Sequence, residues 1–139
     1  MTFRVIALFV LLSFKVNADQ NTSECVDMLK IANTHYFLAV NASRNMNYKY
    51  EEIKDEECSE ILRNQLASLA EALERYEFYS MSSKVTAINI QSAYLSKICS
   101  LDLATKAGHL ILRLNRLRLK NAIVAKNAKV AISCSELFE

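Results

Sequence analysis

The 139-residue chain has no proline, one glycine (Gly108) and two histidines, His35 and His109. Hairpins and tight β-turns draw on Gly and Pro at defined positions, so a chain this poor in both cannot turn back often. One glycine also excludes a glycine-rich phosphate loop. The acidic run EEIKDEE at residues 51–57 lacks the glycine-bearing geometry of a calcium hand and reads as a solvated helical face. Both histidines fall within helical patterns with no nucleophile motif beside them, so no catalytic residue is assigned and the chain is read as no enzyme. The cysteines form no CxxC pair or Cys/His cluster, and neither a metal site nor a cofactor is expected. What the chain does have is Ala, Leu, Lys and Glu in quantity, which favours an all-α fold with short connections. No repeat, low-complexity segment or interdomain linker interrupts it.

Long apolar runs are missing too. The N-terminal MTFRVIALFVLLSFKVNA has a basic residue at Arg4, an apolar stretch from Val5 to Leu12 and a small-residue close at Ala18. That pattern predicts a signal peptide over residues 1–18, too short in its apolar part for the ~20 residues of a membrane span. Residues 19–139 are then a single secreted domain. It holds four cysteines, Cys25, Cys58, Cys99 and Cys134, an even, widely spaced set that predicts two disulfides in an oxidising compartment. Asn21-Thr22-Ser23 and Asn41-Ala42-Ser43 are candidate N-glycosylation sites.

Polar turn formers divide the remaining pattern into four expected helices. The first starts at the cap Asn21-Thr22-Ser23, buries Met28, Leu29, Ala32, Tyr36, Ala39 and Val40, and fails between Asn41 and Asn47. A second runs from about Tyr50 to Tyr79 on Ile53, Leu62, Leu66, Leu69, Leu73 and Tyr76. Ser82 or Ser83 caps a third, which buries Val85, Ile88, Ala93, Leu95 and Ile98. After a break at Ser100-Leu101-Asp102, with Asp102 as cap, a long last helix covers about Leu103 to Ser133. The expectation is a compact, up-and-down-like four-helix domain. Four cysteines allow three pairings. An even number of antiparallel helices brings the start of the first beside the end of the last, which favours Cys25–Cys134 with Cys58–Cys99; Cys25–Cys58 with Cys99–Cys134 is the alternative.

On a wheel at about 100° per residue, the last helix carries two apolar stripes. Leu103, Ala107, Leu110, Leu114, Leu117, Val124, Ala128 and Ile132 form one, while Leu112, Leu119, Ile123 and Val130 lie nearly opposite. The favoured reading is a central helix packed on both sides; the other leaves one stripe for a partner. Between the stripes run Lys106, His109, Arg113, Arg116 and Lys120, spaced three, four, three and four and spanning about 20 Å. Between Leu103 and Cys134 there are seven basic residues and no acidic one, whereas Glu51 to Glu77 holds nine acids against three bases.

Residues 19–139 carry fifteen charges of each sign. Neutrality and the lack of aromatics along the basic strip argue against nucleic acid as ligand. Apolar stripes on both sides weaken the case for a membrane-surface helix. The strip either pairs with the acidic second helix or docks an acidic protein surface or a sulfated polysaccharide, with Arg118, Lys126 and Lys129 nearby.

A signal peptide, cysteines spaced C-x32-C-x40-C-x34-C, a helical pattern without proline and the ending SCSELFE together resemble the anophensin/albicin family of anopheline mosquito salivary proteins. The resemblance spans the domain in architecture and cysteine count, not in a local motif, and transfers no binding residue. It implies a secreted, monomeric, non-enzymatic inhibitor in saliva that blocks a host plasma complex: the alternative complement convertase or the contact-phase, kallikrein–kinin factors. The alternative is a small helical carrier of an odorant or lipid, whose last helix would line an apolar cavity.

Overall fold

A computed structural model describes the backbone of residues 5–138 and the side chains of residues 23–136. The signal peptide assigned to residues 1–18 and the sequon at Asn21 therefore lie outside the described side chains. The described chain is all-α and free of strands: α1 (Val5–Ile53), a 3-10 turn (Cys58–Glu60), α2 (Arg63–Leu95), α3 (Leu101–Ile132) and a final 3-10 segment (Ser133–Phe138).

 The helix that follows the connection thus spans Arg63–Leu95, and three long helices stand where four were expected.

Of the three expected interruptions only the one at Ser100-Leu101-Asp102 separates helices; the other two lie within α1 and α2, where the polar residues that suggested them find partners one turn back or on a neighbouring helix. In α1 the Ser43 hydroxyl donates to the Val40 carbonyl at 2.8 Å, and Asn47 donates to the Ser43 carbonyl and to Asn121 of α3, each at 2.7 Å. Asn121 is itself buried and donates to the Leu117 carbonyl at 2.8 Å. The bonds one turn back within α1 and the bond from Asn47 to α3 satisfy these side chains while the backbone stays helical. Nor does the sequence SMSSK cap a new helix. Ser83 is buried and donates to the Ala32 carbonyl of α1 at 2.7 Å, while Ser82 shares a 2.6 Å hydrogen bond with His35 Nδ1.

The seam of α2 reads Leu66, Leu69, Leu73, Tyr76, Ser80, Ser83, Ala87 and Ile90, all buried and spaced three and four throughout. The third-helix core expected from Val85, Ile88, Leu95 and Ile98 is out of phase with it, and those four side chains are exposed. Leu62, also expected inside, is exposed as the residue preceding α2. In α1, Cys25, Ala32, Ala39, Met46 and Ile53 are buried at intervals of seven, and in α3 Leu103, Ala107, Leu110, Leu114, Leu117 and Asn121 are buried at alternating intervals of four and three. These are heptad seams, the pattern by which helices pack side by side over many turns.

Two short connections make the chain run up, down and up. At the first, Gln65 Oε1 accepts the Leu62 amide at 3.0 Å at the start of α2. At the second, α2 closes with Ile98 N–H bonded to the Ala93 carbonyl and Lys97 N–H to that of Tyr94, with Lys97 at φ 63°. This is a Schellman closure with lysine in the left-handed position. Ser100, rather than Asp102, caps α3: its hydroxyl accepts the Leu103 amide at 3.2 Å.

The helix count also decides the disulfides. With three antiparallel helices, the beginning of the bundle and its end lie at opposite ends, so the favoured Cys25–Cys134 pairing cannot form. Cys25 instead bonds Cys99 and Cys58 bonds Cys134, with Cα separations of 5.7 and 5.6 Å. Both pairings considered from the sequence are corrected by this arrangement. One bridge fastens α1 to the α2–α3 connection; the other fastens the α1–α2 connection to the end of α3.

Candidate functional site

The solvent side of α3 is the leading candidate. Its buried seam faces α1 and α2, and the second apolar stripe turns outward. Leu112 is 52%, Leu119 79%, Ile123 74% and Val130 65% exposed, so α3 is not packed on both sides as expected. No aromatic residue occurs between Leu101 and Ile132.

Lys106, His109, Arg113, Arg116 and Lys120 are all exposed along the flank of α3 nearer α1. Lys106 pairs with Asp102 of its own helix at 3.2 Å, an exposed i,i+4 contact that contributes at most a few tenths of a kcal/mol. The Arg113 guanidinium lies 5.5 Å from the centroid of the Tyr36 ring, which holds it against α1 without neutralising it. No carboxylate pairs with His109, Arg113, Arg116 or Lys120 among the described residues.

The acidic segment does not cover the strip. Glu51, Glu52, Asp55, Glu56, Glu57 and Glu60 gather at the close of α1 and in the following connection, at the Cys58–Cys134 end. Glu51 pairs with Lys54 at 3.0 Å and Glu71 with Arg75 at 3.1 Å, both within local sequence. The Glu51 carboxylate accepts a hydrogen bond that raises the Lys54 ammonium above its ordinary pKa. One ion pair joins α2 to α3 among the described residues, Glu77 to Lys129 at 2.8 Å. It lies on the other flank of α3. Arg118, Lys126 and Lys129, expected near the basic strip, line the cleft on the α2 side of α3 instead.

His35 is half-buried between α1 and α2, bonded to Ser82 and 5.3 Å from the Tyr79 ring centroid. Sequence reasoning missed this contact, because the two residues are 47 positions apart. It joins an imidazole to a hydroxyl, but no hydrogen bond or ion pair to a third, orienting group accompanies it among the described residues. No group of three or more His, Cys, Asp or Glu side chains is arranged to hold a metal ion among the described residues. Asn41 is exposed on α1, while Ser43 of its sequon is buried, so a glycan there would have to be attached before the bundle closes.

A carrier calls for an apolar cavity. The buried side chains instead form two packed clusters, one around Met46, Ile53, Leu69 and Tyr76 and one around Cys25, Ile90, Leu110 and Leu114. A cleft of about 540 Å³ opens between α2 and α3, and charged side chains border it. No helix among the described residues is long and apolar enough to cross a membrane. No family model, curated protein or solved structure matches the chain.

Proposed function

We propose that the protein is a secreted, non-enzymatic binding protein that docks the solvent face of α3 onto an acidic surface of a plasma protein complex and inhibits it by occlusion. The observation that carries this reading is the coincidence, on one helix, of an exposed apolar stripe with Arg113, Arg116 and Lys120, which have no carboxylate partner among the described residues, and no acid between Leu103 and Cys134. Apolar area supplies the contact, and charge supplies orientation and association rate.

The apolar stripe favours a protein over a sulfated polysaccharide, which would engage the cations and leave Leu119 and Ile123 in water. The lack of aromatic anchors on α3 argues against a membrane interface, where Trp and Tyr commonly sit, and against stacked nucleic-acid bases. The alternative complement convertase and the contact-phase factors are the targets implied by the likeness to anopheline salivary inhibitors.

The test compares the oxidised protein with R113E/R116E in alternative-pathway haemolysis and in contact activation of plasma. Wild type should inhibit one of the two, and the double variant should require at least about tenfold more protein for the same effect at unchanged helicity. Equal potency would overturn the site, and inhibition of neither cascade would overturn the choice of target. Flotation with phosphatidylserine vesicles that is lost in R113E/R116E would replace a protein partner with a membrane.

A further inference from the structure

The cleft between α2 and α3 lies on the flank of α3 away from the basic strip. Tyr76, Ser80 and Met81 line it from α2, and Arg118, Ala122 and Ala125 from α3. Lys84, Lys126 and Lys129 complete a border of four cations with Arg118, against which Glu77 is the one carboxylate in the lining. Lys129 is paired with Glu77, and Lys84 donates to Asn115 at 3.4 Å. Arg118 and Lys126 have no carboxylate partner among the described residues. The cleft thus retains a surplus of positive charge beside an apolar surface.

A second feature points to a ligand. Ser80 is only 7% exposed, and its hydroxyl finds no hydrogen-bond partner among the described residues. A buried hydroxyl normally has one, so its presence in the lining of a cationic cleft is unusual. Tyr76 beside it is also buried, and that burial holds its phenol above the ordinary pKa; Arg118 acts in the opposite direction and Glu77 in the same one. The phenol is therefore a neutral O–H group at physiological pH. Two alanines on α3, Ala122 and Ala125, leave the space that larger apolar side chains would fill.

We propose that this cleft binds a small organic anion, a carboxylate, sulfate or phosphate head on an apolar body. Arg118 and Lys126 hold the head, Ser80 supplies a hydroxyl at the floor, and Met81, Ala122 and Ala125 contact the body. A volume of about 540 Å³ falls in the range of small-molecule sites. The site is separate from the basic strip, and its occupation does not require docking through that strip.

The probe is anilinonaphthalene sulfonate, titrated into the intact oxidised protein and followed by its fluorescence. It should bind saturably at one site per chain. R118E/K126E should weaken it at least about tenfold, a loss of two charge-assisted contacts, with the circular dichroism spectrum unchanged. A125L, which fills the cleft without altering charge, should weaken it as well. R113E/R116E should leave it unchanged, which separates this site from the docking face. Laurate should displace the probe, while dodecanol or inorganic sulfate at the same concentration should not. Probe affinity retained in both R118E/K126E and A125L would overturn the site; displacement by dodecanol would overturn the anionic head, and displacement by sulfate alone the apolar body.

Discussion

Ser80 and Ser83 occupy consecutive seam positions of α2, are both buried, and differ in one respect: Ser83 has a hydrogen-bond acceptor on α1, whereas Ser80 has none among the described residues. Replacing each by alanine should therefore move stability in opposite directions. In S83A the bond to the Ala32 carbonyl is lost, a net cost of about 1 kcal/mol. Ala32 lies within α1, where its carbonyl keeps its helical partner, so no buried acceptor is orphaned. Alanine's better helix propensity returns about 0.5 kcal/mol, leaving S83A about 0.5 kcal/mol less stable than wild type. In S80A the same propensity gain adds to relief from an unsatisfied buried hydroxyl, for which about 1–3 kcal/mol is typical. S80A should be more stable by about 1.5 kcal/mol, so the two variants should differ by about 2 kcal/mol.

Urea unfolding of the oxidised proteins, followed by circular dichroism, reads this gap. At a slope of about 1.5 kcal/mol per molar urea the midpoints should lie more than about 1 M apart, with S80A above wild type and S83A below. Equal midpoints, or S83A above S80A, would refute the assignment of partners to the two hydroxyls. If the cleft binds an organic anion as proposed, S80A should also bind the sulfonate probe more weakly although it is the more stable protein. A stabilised variant with impaired binding is the usual signature of a polar group kept for function.

Two further outcomes test the fold itself. Lys97 holds φ 63° at the close of α2, a conformation that costs a side-chain-bearing residue about 1–2 kcal/mol, so K97G should raise stability by about 1 kcal/mol in the same urea assay. Non-reducing peptide mapping should recover Cys25 linked to Cys99 and Cys58 linked to Cys134, and a Cys25–Cys134 peptide would overturn the three-helix arrangement. Each bridge joins residues 74 or 76 positions apart, so C25S/C99S and C58S/C134S should each lower the unfolding free energy by up to about 4 kcal/mol.

The all-α class was legible because it follows from composition: without proline and with one glycine, the chain has little alternative to long helices. The seam of α3 was legible as well, since Leu103, Ala107, Leu110, Leu114 and Leu117 carry the period in leucine and alanine. The seam of α2 was not, because Ser80 and Ser83 occupy it where the pattern calls for apolar residues, and a serine pair between two apolar stretches resembles a cap. The signal that could have recovered it is the spacing: Leu66, Leu69, Leu73, Tyr76, Ser80, Ser83, Ala87 and Ile90 never leave the three-and-four rhythm. In α1, Ser43 and Asn47 misled in the same way, since their partners lie one turn back and on α3. The disulfide error was a consequence, because one miscounted helix reverses which end of the bundle each cysteine occupies.

The same helix count organises the candidate sites. With a bridge at each end, α3 is fixed at Cys99 just before its start and at Cys134 just past its end. A face held in this way loses little conformational freedom on binding, so its contacts convert more fully into affinity. At about 100° per residue, the exposed stripe of Leu112, Leu119, Ile123 and Val130 lies along the middle of that face. The basic strip runs on its α1 side and the cationic cleft on its α2 side. A single partner footprint centred on the stripe would reach both cationic flanks, whereas a small anion in the cleft would neutralise only Arg118 and Lys126. Occupation of the cleft should then weaken a partner that depends on both flanks and leave unchanged one that depends on Arg113 and Arg116 alone. Adding laurate to the inhibition assays distinguishes these cases.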